Sequence, residues 1–213
     1  NLIYVLIAGG VFNAVLVPQI IKASKAEDEG ADYISRLITL AVIALLVITT
    51  AVVVCVGPIM RLMGPGWTDA QLAMGTTFAL ITFPQIFFYG LYTVVGQVLN
   101  AKGAFGAYMW APVLNNLIAI ASLLVFIRQF HPFRLEHHTV ENWTPGQTFW
   151  LVVMATVGVA AQALILFWPL ARLGLKIRPR FGWRGIGLAA AGKLGGWTLA
   201  TGCLLYTSDA ADD

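Results

Sequence analysis

The side chains best suited to hold a polar ligand lie where polar residues are least expected, inside long uncharged stretches. Between residues 70 and 101, Gln85, Tyr89, Tyr92, Gly96 and Asn100 follow one another at steps of four, three, four and four. On an α-helix that spacing places them on one face; Thr82 extends the stripe by a turn, and Gln97 lies on a flanking face. Two uses are open, and they can coexist. The stripe can be a seam between helices, with Gly96 permitting close approach and the amides bonding across. It can also be the wall of a cavity that takes a polar head group, since a polar side chain in hydrocarbon is costly unless it pairs or faces water. Asn115 and Asn116 follow Pro112 in the next stretch. Adjacent helical residues sit about 100° apart, so the pair is not expected to face lipid together, and an interhelical bond is the simpler use. With Gln97 and Asn13, they complete the set of cavity candidates. Asn13 and Gln162 stand alone in their stretches, which favours packing.

Other chemistry is poorly supported. His131, His137 and His138 share a loop with Glu136 and Glu141, but no two histidines are spaced i, i+4, and a solvated loop is the simpler reading than a metal site. The sequence offers no nucleophile–base pair, no phosphate loop and no reason to invoke a cofactor. No Asp or Glu falls inside any apolar run, which argues against a proton relay in this part of the chain. Cys55 and Cys203 make no disulfide framework, and Cys55 reads as a small packing residue.

The elements that would carry these residues are unusually apolar. Of 213 residues, 59% are hydrophobic and 11% charged, against about a quarter charged in soluble domains. Residues 1–21, 37–60, 70–101, 103–127 and 142–171 contain no Asp, Glu, Lys or Arg. A bilayer-spanning helix needs about 20 such residues. The expected spans are therefore about 1–21, 37–60, 70–101, 107–127 and 146–171, with a partial sixth at 186–202. The fold class is an all-α polytopic membrane protein. The first run lacks the basic start and small-residue exit of a signal peptide, and a chain opening on Asn1 reads as a helix met partway through.

Ten of the thirteen Lys and Arg residues fall on one side of this arrangement. They are Lys22, Lys25, Arg36, Lys102, Arg172, Lys176, Arg178, Arg180, Arg184 and Lys193; Arg61, Arg128 and Arg134 fall on the other. Basic residues near span ends favour the cytoplasm, so loops at 22–36, 102–106 and 172–185 are expected there, and those at 61–69 and 128–147 outside. Thr68 with Gln71, and Thr144 with Gln147, each read as a capping box at the start of an inward-running helix; Pro145 suits the first helical position. Residues 173–184 mix Arg and Lys with Phe181 and Trp183, suiting a membrane interface with anionic lipid rather than nucleic acid.

One block is distinctive: Phe83-Pro84-Gln85-Ile86-Phe87-Phe88-Tyr89-Gly90-Leu91-Tyr92, then Gly96-Gln97-Val98-Leu99-Asn100-Ala101, then Phe105, then Trp110-Ala111-Pro112-Val113-Leu114-Asn115-Asn116. It resembles the fourth and fifth transmembrane helices of the MurJ/MviN lipid II flippases, within the multidrug/oligosaccharidyl-lipid/polysaccharide exporter superfamily. The opening 1–18 resembles that family's second helix, and Gly64-Pro65-Gly66-Trp67 its Ala-Pro-Gly-Phe loop. The resemblance implies a partial lobe of a fourteen-helix transporter, supplying helices two to six and the start of seven. It also implies lipid II as substrate, moved from the inner to the outer leaflet of a bacterial plasma membrane. Where some members carry an Arg pair and a Glu near the start of helix two, this chain has Tyr4, Val5 and Gly9. A flippase for another polyprenyl-linked glycan, or a non-transporting scaffold that partners cell-wall synthesis proteins, would share the apolar spans.

The last eleven residues, 203–213, turn acidic and resemble the read-through translation of a transposase adapter used in sequencing libraries. They are expected to be foreign to the fold; three of the ten acidic residues lie there.

Overall fold

The computed structural model describes residues 20–21, 30–130, 144–175 and 177–182, and its regular elements there are all α-helical. Asn13, Lys176, Arg184, the three histidines, the expected span at 186–202 and the tail lie outside the described residues. Helix α1 is Ala31–Val54, α2 Val56–Met63, α3 Asp69–Thr82, α4 Gln85–Ala101, α5 Phe105–Gln129, α6 Pro145–Leu164 and α7 Phe167–Arg172. Among the described residues, four stretches are long and apolar enough to cross a membrane: Ala31–Val54, Asp69–Ala101, Phe105–Gln129 and Gly146–Arg172.

Helix α1 starts six residues before the charge-free run at 37, so Asp32 and Arg36 lie within its first turns. A carboxylate in the first turn complements the helix dipole, and Asp32 also meets Arg36 one turn on, at 2.8 Å. Both expected capping boxes are present. Thr68 Oγ1 accepts from the Gln71 N–H and Gln71 Oε1 accepts from the Thr68 N–H; Thr144 and Gln147 repeat the exchange, with Pro145 at the helix start.

Prolines divide three of the apolar runs. Pro58 cannot donate to the Val54 carbonyl, and the helix loosens at Cys55 (φ −86°, ψ 9°). Pro84 separates α3 from α4, where Ile86 N–H bonds the Phe83 carbonyl at 2.9 Å and Phe87 N–H the Pro84 carbonyl at 3.2 Å, a locally tightened turn. Pro169 follows the interruption between α6 and α7. Pro112, by contrast, sits inside an unbroken α5.

The chain falls into two compact units, one of residues 1–41, 93–108 and 167–213, the other of 42–92 and 109–166. Within the first, Ile20, Ile34, Val95, Val98, Leu99 and Leu170 are fully buried. Within the second, α2 packs on α3 and α3 on α6. Trp67 lies against Gly64 and Gly75, neither of which has room for a Cβ, and Met60 closes the same hairpin.

Helix α4 stops in a Schellman motif. Gly103 has φ +78°, the Ala104 N–H bonds the Leu99 carbonyl at 2.8 Å, and the Gly103 N–H bonds the Asn100 carbonyl at 3.0 Å. A Cβ at Gly103 meets nothing, so its handedness alone is at stake. In the full-length protein, Gly103→Ala is expected to lower unfolding stability by about 1 kcal/mol, while Gly106→Ala, also in open space but on helical backbone, is expected not to lower it. Thermal unfolding of the two variants in detergent measures the difference.

Candidate functional site

The polar stripe of α4 is retained as a helix face, but its members meet different surroundings. Near Pro84, half-buried Gln85 donates from Nε2 to Thr156 Oγ1 of α6 at 2.8 Å. That hydroxyl in turn lies 3.1 Å from both the Ile81 carbonyl and the Val152 carbonyl, and its single proton serves one or the other. Ile81 belongs to the last turn of α3, next to the proline break. When it serves Ile81, the Thr156 hydroxyl does what a neighbouring helix must do at an intramembrane proline, giving a donor to backbone at the interruption.

Tyr89 is exposed and Tyr92 half-buried. Further along, Gly96 is buried against the Tyr108 ring, which fills the space a Cβ would need. Gln97 is only 3% exposed, and its Oε1 has no hydrogen-bond partner among the described residues. Asn100 is half-buried, and its backbone carbonyl closes the Schellman turn.

Asn115 and Asn116 diverge as adjacent helical residues must. Asn115 Oδ1 presses on Gly158 of α6, while Asn116 is exposed. The Trp150 indole N–H of α6 donates to the Ser122 carbonyl of α5 at 3.3 Å. Helix α6 is thus tied to α5 through Trp150 and Gly158, and to α3 and α4 through Thr156.

The basic residues after α7 are less free than their sequence suggests. Arg172 stacks 3.8 Å over the Trp168 ring, a cation–π pair suited to an interface. Arg178 and Arg180 lie on an extended stretch, and Arg180 pairs with Asp32 at the head of α1. Among the described residues no group of three His, Cys, Asp or Glu is placed to hold a metal.

Residues 1–211 match the family described as Lipid II flippase MurJ. The chain belongs to that family. Relatives named "Probable lipid II flippase MurJ" include one from Buchnera aphidicola subsp. Baizongia pistaciae, 26% identical over 185 residues, covering 85% of this chain and 33% of the relative. One from Haemophilus influenzae is 24% identical over 205 residues, covering 91% and 38%, and one from Vibrio cholerae 23% over 199 residues, covering 88% and 35%. The chain spans about a third of the length of these MurJ relatives.

Sequence reasoning missed Thr156, Trp150 and Asp32 as organising residues. Asp32 and Arg36 carried a usable signal, opposite charges four residues apart. Thr156 carried none, because its role depends on which backbone carbonyl lies opposite. Gln85→Leu is expected to lower stability by about 0.6 kcal/mol, the average for intramembrane hydrogen bonds, and Thr156→Val by more, since it removes an acceptor and a donor together. With Thr156 already Val, adding Gln85→Leu is expected to cost little further. Unfolding free energies of the two single variants and the double variant of the full-length protein form the cycle.

Proposed function

We propose that this chain is part of a transporter that moves lipid II, the undecaprenyl-linked peptidoglycan precursor, from the inner to the outer leaflet of the bacterial plasma membrane. The observation that carries this reading is the family match along residues 1–211. Four stretches long and apolar enough to span a bilayer support it, as does a family description that names lipid II rather than another glycan. The work is translocation, so the polar side chains are read as hydrogen-bonding groups for a head group and not as acid–base catalysts. The residues proposed to meet it are Gln85, Tyr89, Tyr92, Gln97, Asn100, Asn115, Asn116 and Asn13. Arg172, Lys176, Arg178, Arg180 and Arg184 belong to the cytoplasmic interface, where membrane lipids are the expected neighbours.

Asn100 tests the cavity role. In the full-length protein Asn100→Leu is expected to reduce lipid II flipping severalfold at normal membrane abundance, because Leu fills the site but cannot hydrogen-bond. Flipping assayed beside immunoblotted membrane level decides it; normal flipping at normal abundance removes Asn100 from the cavity. Sidedness is tested separately in intact cells. A cysteine at Gly66, a position with open space around it, is expected to react with an impermeant maleimide, and one at Ser24 is not.

A further inference from the structure

The stretch that follows α7 is an extended strap held on the first turns of α1. The Arg178 N–H donates to Ser35 Oγ at 3.4 Å, and the Arg180 N–H donates to Thr39 Oγ1 at 3.2 Å. Ser35 and Thr39 are one helical turn apart, so the strap runs along a single face of α1. The Arg180 guanidinium bonds the Asp32 carboxylate, and Gly182 lies over the Arg36 side chain, 3.4 Å separating a Cβ position there from Arg36 Nη1. Before the strap, α7 is followed by Gly174, with φ +75°, and Leu175 is buried. From Arg178 to Phe181 the strap is exposed.

Two of the three acceptors on α1, Asp32 and Thr39, keep a second partner within α1 itself. Asp32 also pairs with Arg36 at 2.8 Å, and the Thr39 hydroxyl also donates to the Ser35 carbonyl at 2.7 Å. Lifting the strap therefore strands no carboxylate and leaves Thr39 bonded. The Arg180 and Asp32 side chains are 54% and 32% exposed, and ion pairs so open to water hold weakly. A permanent brace would be built on buried apolar contact; this one uses long hydrogen bonds to hydroxyls and a shared carboxylate.

We propose that residues 177–182 form a releasable clasp on the head of α1, latched by Asp32 between Arg36 and Arg180, and that the clasp opens during the transport cycle. The opening step rests on the transport reading; the clasp itself does not. An element that switches between states must have them close in free energy, and the second partners of Asp32 and Thr39 within α1 lower the cost of opening.

Two measurements on the full-length protein in a Cys55→Ala background test it. In the first, Ser35→Cys, buried under the strap at 2% exposure for the native serine, is labelled with an impermeant maleimide in inside-out vesicles. Adding Asp32→Asn is expected to raise the labelling rate severalfold, and the swap of Asp32→Arg with Arg180→Asp to restore protection. An unchanged rate in the Asp32→Asn protein overturns the clasp. In the second, cysteines at Ser35 and Arg178 are bridged by a short, reducible bis-methanethiosulfonate. Bridging is expected in most molecules, with lipid II flipping reduced severalfold and recovered on reduction. Absence of bridging overturns the clasp, and bridging with undiminished flipping overturns its opening. If the protein never exposed to the reagent fails to flip lipid II, the transport reading falls while the labelling rates still decide the clasp.

Discussion

A backbone in hydrocarbon must satisfy its own hydrogen bonds, because no water is there to do so. Uninterrupted helices meet that demand by construction. Here the demand sharpens at Pro58, Pro84 and Pro169, each of which withdraws a donor from an apolar run. The break at Pro84 shows how it is met. Tight turns at Phe83 and Pro84 use two carbonyls locally, and the Thr156 hydroxyl reaches the carbonyl of Ile81 from another helix. Gln85, the first residue beyond the break, then bonds the same hydroxyl. A backbone interruption has thereby set the position of a polar side chain, and with it the register of α6 against α3.

The remaining contacts between helices follow the same economy. With lipid as apolar as leucine, helices associate through close packing and occasional hydrogen bonds. Glycine admits a close approach at three helix contacts among the described residues: Gly90 to Leu45, Gly96 to Tyr108, Gly158 to Asn115. The hydroxyls of Thr76, Thr77 and Thr82 turn back on their own helix, each donating to a carbonyl a turn earlier. At the helix ends, where water returns, capping boxes and left-handed glycines replace the ladder.

Much of this was legible in the sequence because it is local. Charge-free runs marked the apolar helices, Thr68 with Gln71 and Thr144 with Gln147 marked two starts to the residue, and Pro84 marked a break. What stayed illegible depends on contact between distant segments. The expectation that charge-free runs bound the helices failed at α1, because Asp32 and Arg36 neutralise each other across one turn and lengthen the helix toward its start. The basic stretch after α7 suggested cations turned to lipid, yet Arg180 is paired to Asp32, 148 residues away in sequence. No periodicity within either segment announces that pairing. The polar stripe was visible as a face of α4, but the partner of each member was not.

The amides of the candidate site divide by what their partners leave over. Gln85 has given a hydrogen to Thr156, and Asn115 is packed against Gly158, so both contribute to the seam whatever else they meet. Gln97 differs: its carbonyl oxygen is buried with no partner among the described residues. A buried acceptor left unsatisfied is unfavourable by about 1–3 kcal/mol, and a helix built only for packing would carry an apolar residue of similar size in its place, as its neighbours Val95, Val98 and Leu99 do. Gln97 lies on the flank of the stripe, not on it, so it is set apart by its buried acceptor and not by helical spacing. A donor from outside the described residues would complete it.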